Sequence, residues 1–556
     1  MIPTNTSYLD PHEFKKSLKA GCLYTIPIGG CGMFGMNMTC FLFNGKMILV
    51  DAGSLFPDPW MVGISIVIPN PQFWLFQNFE LLGYVLTHAH EDHIGALPYF
   101  LKHLSKPIYA TRWTSEILKR RLMDHAIDAS LLELAPGTSV KLGPFDVKFL
   151  PVGHSIPDAC SLLIKAGDFR VFHSGDFKFD TADTGIPQSL RELKEAHLDL
   201  FLCDSTNSNK DGVCPTEDSV CDPLRKVIAE AQGNVYIASF SSNLMRFKWL
   251  AEICEQLGRK LYVSGTSIKA NFELGVKLGL VKENSFRQDS DAETPLTKRS
   301  VIFMSGCQGE YRSALARLAN NEHRFFKLQD KDSVVFSSRT IPGNEKNVSD
   351  LIDKLTRLGA TIVTPKDFAG IHVSGHAFGG EVSKLLELAK PKRFVPIHGT
   401  YVHQLASCER NPEHKSILVK NGSIIECQKG AIDLLAHLKV ETTYVDEEYG
   451  ALLDRHTFLE RLRLAKKGFA TLSGVFSLSS RRWIKGPVLK TIGLGKDDDW
   501  IEKTSAGLKQ YLRSDLMKPE QSAHFVVTAL RVYWEDALIS RFGTKPMTQD
   551  DIWFVD

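Results

Sequence analysis

The chain has no Cys-x-x-Cys pair, no long apolar run and almost no net charge. Its 11 cysteines are scattered and odd in number, which argues against a disulfide framework and predicts reduced thiols in a cytoplasmic compartment. No window approaches the ~18 consecutive apolar residues of a membrane span, so no membrane association is expected. The stretch from Met1 to Leu18 lacks an apolar core, which argues against a signal peptide. A net charge of +2 sets up no global basic field, so any polyanion has to be held by local patches. Otherwise the composition is ordinary for a globular protein. Its 556 residues, 43% apolar and 23% charged, suffice for several domains with large cores.

Histidine is also scarce, at 18 residues, so its one concentration is informative. Thr87-His88-Ala89-His90-Glu91-Asp92-His93 closes the strand-like run Gly83-Tyr84-Val85-Leu86 and opens an apolar helix at Ile94. His88 and His90 are two apart, so on extended backbone both point the same way. Asp92 and His93 come where the chain turns into the helix and face a neighbouring point. That pattern suits two adjacent cations better than one. Imidazole with carboxylate favours zinc or manganese over calcium or magnesium. The competing reading is a polar turn whose histidines merely cap the helix.

Upstream, Gly30-Cys31-Gly32-Met33-Phe34-Gly35 fits G-x-G-x-x-G. A dinucleotide site needs a helix straight afterwards. Instead, two apolar runs flank Asn44-Gly45, which predicts a hairpin, and the nucleotide reading fails. Asp51 ends the second run, where a carboxylate can orient a metal-ligating histidine. Further along the chain, Gly153-His154 and Ser174-Gly175-Asp176 each come just after an apolar run. They supply a third imidazole for one metal and a carboxylate able to bridge both. Asp204 is another acid at a strand end.

From about 210 the pattern becomes alternating strands and helices, a parallel sheet flanked by helices. Small polar loops come after its strands, among them Ser241-Ser242-Asn243 and Ser305-Gly306-Cys307-Gln308-Gly309-Glu310. Such loops bind ligands often and are plain turns nearly as often. Next comes His372-Val373-Ser374-Gly375-His376, with its glycine offering a phosphate nest of backbone N–H groups. His398 ends the run Phe394-Val395-Pro396-Ile397. The other eleven histidines, His103, His173 and His323 among them, stand outside such constellations and are read as structural. Glu441 to Arg455 reads as a linker, and the last hundred or so residues as a small α+β domain suited to oligomerisation or substrate contact.

His88-x-His90-x-Asp92-His93 with His154 and Asp176 resembles the metallo-β-lactamase superfamily. The inserted α/β unit with Asp204, His376 and His398 resembles its β-CASP nuclease branch, and within that branch the ribonuclease J family. Asp51-Ala52-Gly53-Ser54-Leu55-Phe56-Pro57-Asp58, Gly95-Ala96-Leu97-Pro98, Gly175-Asp176-Phe177-Lys178-Phe179-Asp180, Pro342-Gly343-Asn344-Glu345 and Thr544-Lys545-Pro546-Met547 continue the likeness. It is specific to about residue 430 and loose beyond. The chain departs from the family at Met33 and Met36, where Glu and Lys are typical, and at Ala89, where glycine is common. The C-terminal domain is divergent, so the family's dimer interface is not assumed for this chain.

The resemblance implies an α/β protein: a metallo-β-lactamase αββα sandwich with an inserted β-CASP domain and a small α+β C-terminal domain. The expected boundaries are 1–210 and 366–440 for the sandwich, 211–365 for the insert, 441–460 for the linker and 461–556 for the last domain. It implies two divalent ions, zinc first, with manganese or magnesium as alternatives. One would take His88, His90 and His154; the other would take Asp92, His93 and His398; Asp176 would bridge. Asp92, Asp176, Asp204 and His376 would be catalytic, with His376 serving the leaving oxygen. The Ser241-Ser242-Asn243 loop and His372, Val373, Ser374, Gly375 and His376 would grip phosphate. The implied activity is 5′-to-3′ exonuclease action on RNA, favouring 5′-monophosphate ends, with endonuclease action beside it, in RNA maturation and decay. The implied partners are RNA, a second copy of the chain and other proteins of RNA decay. A DNA-directed nuclease of the same branch and a non-catalytic RNA-binding scaffold are the alternatives.

Overall fold

A computed structural model describes residues 7–181, 185–292, 299–341, 343–480, 482–495, 497–511, 522–543 and 545–555. Pro342 and Thr544, each part of a string that carries the family likeness, lie outside the described residues. The chain divides into two compact units. One comprises Met1–Asp58 and Ile66–Thr442, the other Pro59–Ser65 and Thr443–Asp556.

In the first unit two sheets face each other. The larger runs, in spatial order, Ala431–His437, Ser423–Gln428, Leu23–Gly29, Met38–Phe43, Lys46–Val50, Glu80–Val85, Ile108–Thr111 and Leu131–Leu134. The smaller runs Arg393–Ile397, Leu200–Asp204, Phe169–His173, Cys160–Ala166, Phe145–Pro151 and Ser139–Leu142. Leu23, Phe41, Ile48, Val50 and Val85 of the first meet Val147, Phe149, Leu162, Val171, Leu200 and Val395 of the second in one buried core. The outer face of the smaller sheet is covered by Leu190 and Leu193 and by Val382, Leu385 and Leu386 of the helix Gly379–Ala389. Central strands buried on both faces explain runs such as Met-Thr-Cys-Phe-Leu-Phe, which show no polar alternation. The expected hairpin is present. Met38–Phe43 and Lys46–Val50 pair antiparallel, and Asn44 and Gly45 both take positive φ, as a two-residue primed turn requires.

The inserted sheet is parallel, in the order Arg287–Gln288, Leu261–Ser264, Val301–Met304, Val235–Ala238, Ser333–Phe336 and Thr361–Val363. Sequence patterning does not mark its helix Thr266–Lys277. The helix Leu244–Gln256 starts where Asn243 accepts from Arg246 N at 2.9 Å, satisfying one orphan donor of the first turn.

In the second unit, the strands Arg482–Ile492, Phe469–Ser477 and Met547–Val555 form one sheet with Phe469–Ser477 in the middle. Leu472, Phe476 and Leu489 of this sheet pack with Leu508, Val526, Leu530, Trp534 and Leu538 of two helices. The expected linker 441–460 is structured instead. It holds the strands Thr442–Asp446 and Leu452–Leu453 and the start of the helix Arg455–Lys467. Its polar residues make turns and caps. Asp446 accepts from Glu448 N and Tyr449 N and pairs with Arg461, and Asp454 caps the helix through Thr457 N at 2.7 Å. Among the described residues no helix is long and apolar enough to cross a membrane.

Candidate metal centre

Five neighbouring strand ends build the site. Lys46–Val50 and Glu80–Val85 are parallel neighbours in the larger sheet, and Asp51 and His88 come after them. In the smaller sheet Phe169–His173, Leu200–Asp204 and Arg393–Ile397 run parallel, leading to Asp176, Asp204 and His398. Ligands in α/β folds gather outside such carboxyl ends. His154 joins from the chain after Phe145–Pro151, tied down where Lys178 N donates to Gly153 O at 2.8 Å. Asp51 and His398 both have left-handed φ, 61° and 52°, which non-glycine residues hold only when their surroundings demand it. Gly53 has no room for a side chain, since a Cβ there would sit 1.7 Å from Asp92 O.

Donor atoms gather in two groups that share Asp176: His88, His90 and His154 in one, Asp92, His93 and His398 in the other. In the first, His90 Nδ1 lies 3.1 Å from both His88 Nε2 and His154 Nε2, and Asp176 Oδ2 is 3.6 Å from His88 Nε2. In the second, His93 Nε2 is 3.3 Å from Asp176 Oδ2, and His398 Nε2 is 3.2 Å from Asp92 Oδ2 and 3.4 Å from Asp176 Oδ1. Ligands about 2.1 Å from a tetrahedral ion stand roughly 3.4 Å apart, so these separations fit metal coordination.

Hydrogen bonds behind the rings turn four lone pairs inward. His93 Nδ1 donates to Asp51 at 2.7 Å, and His154 Nδ1 donates to Gly375 O at 2.7 Å. Thr87 spends its hydroxyl proton on Asp51, so His88 Nδ1 donates to Thr87 Oγ1 at 3.0 Å. Thr206 donates to His398 O, so His398 Nδ1 donates to Thr206 Oγ1 at 2.8 Å. His90 is reversed, its Nδ1 facing the cluster and its Nε2 3.3 Å from Ser242 Oγ. Asp176 Oδ1 is buried with no hydrogen-bond partner. Converging lone pairs and an orphaned carboxylate oxygen are what cations satisfy.

The electrostatics agree. Burial presses the His88 and His154 imidazoles well below their usual range and His90 to about 4, keeping their lone pairs open. Burial also opposes charge on His93 and His398, yet Asp176 and the neighbouring acids outweigh it, raising His398 to about 9. Burial pushes the Asp176 and Asp92 carboxyls up, but the surrounding histidines hold both well below the usual carboxylate range. The acids therefore draw positive charge into the cluster.

Beside the two groups, His376 Nδ1 donates to Asp204 Oδ2 at 2.8 Å, and its side chain is 22% exposed. Burial opposes its charge, but Asp204 and Asp176 raise its pKa. Ser374 Oγ accepts from Asn207 Nδ2 at 2.8 Å and from His376 N at 3.1 Å, leaving the hydroxyl proton free to donate. The nest expected here is therefore only partly open, because His376 N is spent on Ser374 and Ala377 N on Phe177 O. Val373 is buried, and His372 Nδ1 is buried with no hydrogen-bond partner. Ser241 is held through its carbonyl by Asn271 Nδ2 at 2.9 Å. Asn243, expected to touch substrate, is 3% exposed. Its oxygen caps a helix and its amide donates to Glu217 at 3.4 Å, so the side chain is turned into the protein.

Sequence reasoning misses Thr87, Thr206, Asn207 and Asn37, whose Nδ2 lies 3.0 Å from His93 Nε2. Common Thr and Asn residues carry no signal without the fold. Met33 accepts a weak contact from Asn421 at 3.5 Å, and Met36 is buried, so neither position carries charge to this rim.

Fold and donor set together define a hydrolase of the metallo-β-lactamase type. Residues 49–226 match the beta-lactamase superfamily domain, 232–355 the beta-CASP domain of ribonuclease J, and 369–413 the Zn-dependent metallo-hydrolase RNA specificity domain. Ribonuclease J of Corynebacterium glutamicum is 33% identical over 91% of this chain and 72% of its own length. The Mycobacterium tuberculosis protein is 31% identical over 92% and 94%, and the Helicobacter pylori J99 protein 30% over 97% and 80%. A protein of unknown function from Enterococcus faecalis shares the fold, with a TM-score of 0.53 and 17% identity over 73% of this chain and all of its own. The chain belongs to the ribonuclease J family.

Proposed function

We propose that this metal-dependent ribonuclease hydrolyses RNA at the paired donor groups, trimming 5′-to-3′ from monophosphorylated ends and also cutting internally. The observation that carries the reading is the convergence of two imidazole–carboxylate groups on one shared Asp176, whose buried Oδ1 has no hydrogen-bond partner. Divalent ions held by His88, His90, His154 and Asp176, and by Asp92, His93, His398 and Asp176, would supply the Lewis acidity that activates water and offsets phosphoryl charge. The imidazole-rich set favours zinc, then manganese.

The remaining work belongs to side chains. Asp204 fixes the His376 ring and keeps its proton, so Nε2 is the atom that protonates the departing ribose oxygen. Ser374 Oγ donates its free proton to a phosphoryl oxygen, with Asn207 holding it in place. Ser242, beside His90, marks the facing wall of the same cleft. Backbone phosphate contacts of this kind make affinity fall with salt.

The test is cleavage of matched RNA and DNA oligonucleotides carrying 5′-monophosphate, 5′-triphosphate or 5′-hydroxyl ends, with zinc or manganese added back. Preferred stepwise release from 5′-monophosphorylated RNA is expected. Equal or faster cleavage of DNA would overturn the substrate assignment.

A further inference from the structure

Behind the cleft lies an ion network that the chemistry does not use. Lys178, Glu217 and Arg246 are 0%, 3% and 0% exposed. Glu217 Oε1 accepts from Arg246 Nε at 2.7 Å and from Asn243 Nδ2 at 3.4 Å, and lies 2.7 Å from Arg246 Nη2. Its Oε2 faces Lys178 Nζ at 3.7 Å. Asp180 completes the balance, 3.3 Å from Lys178 Nζ, and accepts from Glu217 N at 2.8 Å. Two cations and two anions thus neutralise one another, with Asp180 partly exposed and the other three out of water, where each has to stay paired.

Three branches reach pieces of the cleft. Asn243 adjoins Ser241 and Ser242. Arg246 Nη1 donates to Ser337 O at 2.9 Å and to Ser337 Oγ at 2.7 Å, and that hydroxyl donates to Ile371 O at 2.6 Å, next to His372. Lys178 lies on the segment of Asp176, where Phe177 O accepts from Ala377 N at 2.6 Å beside His376, and Lys178 N holds the His154 loop through Gly153 O. Glu217 meets Asn243 and Arg246, at the start of the helix Leu244–Gln256, on one side and Lys178 of the Asp176 segment on the other.

We propose that Glu217 is a positioning residue: its buried charge clamps the two phosphate-facing loops, Ser241–Ser242 and His372–His376, at a fixed distance from the Asp176 segment. This rests on the reading of those loops as the RNA grip. RNA needs both loops in place. A small activated phosphodiester such as bis(p-nitrophenyl) phosphate needs only the metal-binding cluster.

The experiment compares Glu217→Gln with the wild-type full chain in metal content, melting temperature, and kcat and KM on 5′-monophosphorylated RNA and on bis(p-nitrophenyl) phosphate. The expected result is KM for RNA raised at least tenfold, with metal content unchanged and the small diester hydrolysed within twofold of wild type. RNA kinetics within twofold of wild type overturn the proposal. So does a parallel loss on both substrates, which marks a merely structural role. If Glu217→Gln does not fold, Ser337→Ala, which cuts only the branch to the His372 loop, is held to the same criteria. If the wild type spares the small diester, the KM-against-kcat split on RNA and the metal content decide. A wild-type chain that cleaves neither substrate sinks the proposed function itself, a different failure.

Discussion

His90 is the imidazole with its ring reversed, Nδ1 inward and Nε2 toward Ser242. Truncating it removes one donor from one group and leaves the other intact. His90→Ala is expected to lower RNA cleavage by a factor on the order of a thousand or more, with folded far-UV circular dichroism and about one metal per chain. Cleavage near the wild-type rate in that variant would remove His90 from the centre. Asp204 acts one bond further out. Because Asp204 raises the His376 pKa, His376 keeps its proton to higher pH, and acid catalysis is lost as pH rises through that pKa. Asp204→Asn removes the support, so the alkaline limb of the kcat profile should move to lower pH. An unmoved limb would separate His376 from the proton transfer. Most proposed ligands are readable at this scale, since scarce His and clustered Asp stand out after apolar runs. Asn243 is misread because a polar residue in a loop after a strand looks the same whether it faces a ligand or caps a helix.

Strand ends with their adjoining turns are the elements that aim these side chains. Asp51 is the example, closing Lys46–Val50 in a left-handed turn while accepting from Thr87 N at 2.8 Å, Thr87 Oγ1 at 2.9 Å and His93 Nδ1 at 2.7 Å. Asn tolerates the same backbone, so Asp51→Asn keeps the turn while removing the charge and one of the two accepting oxygens. A fall of about 10–100-fold in metal affinity is expected by competition with a chelating dye. Unchanged affinity would mean the His93 ring is held by packing alone. In the second unit, Trp534 is fully buried among Leu530, Leu538 and the sheet, with Nε1 donating to Asp550 at 3.1 Å. Trp534→Ala should destabilise that unit by about 3–5 kcal/mol in denaturant unfolding monitored by circular dichroism. The 441–460 stretch shows the limit of composition here, since its charges serve a hairpin and a helix cap as readily as they would a free linker.

At the scale of the first unit, the centre exists only because two sheets present their strand ends along one edge. Donors as far apart in the chain as His88 and His398 then belong to groups that share one carboxylate. Cations that bind only the folded arrangement stabilise it by mass action, roughly 4 kcal/mol at a thousandfold excess over the dissociation constant. Chelation should therefore lower the melting temperature as well as stop cleavage, and zinc or manganese should restore both in calorimetry and gel assays. A melting temperature indifferent to chelator would place the metals outside the fold's own stability.

By itself, the sequence determined the fold class and the family, because apolar runs ending in His and Asp state both the strands and the chemistry carried at their tips. The tertiary structure alone decided which nitrogen of each ring faces inward, that Thr87, Thr206 and Asn207 hold the working groups, and that Glu217 meets Arg246 and Lys178 out of water. Those are matters of direction and contact between distant segments, and local patterning contains no term for either.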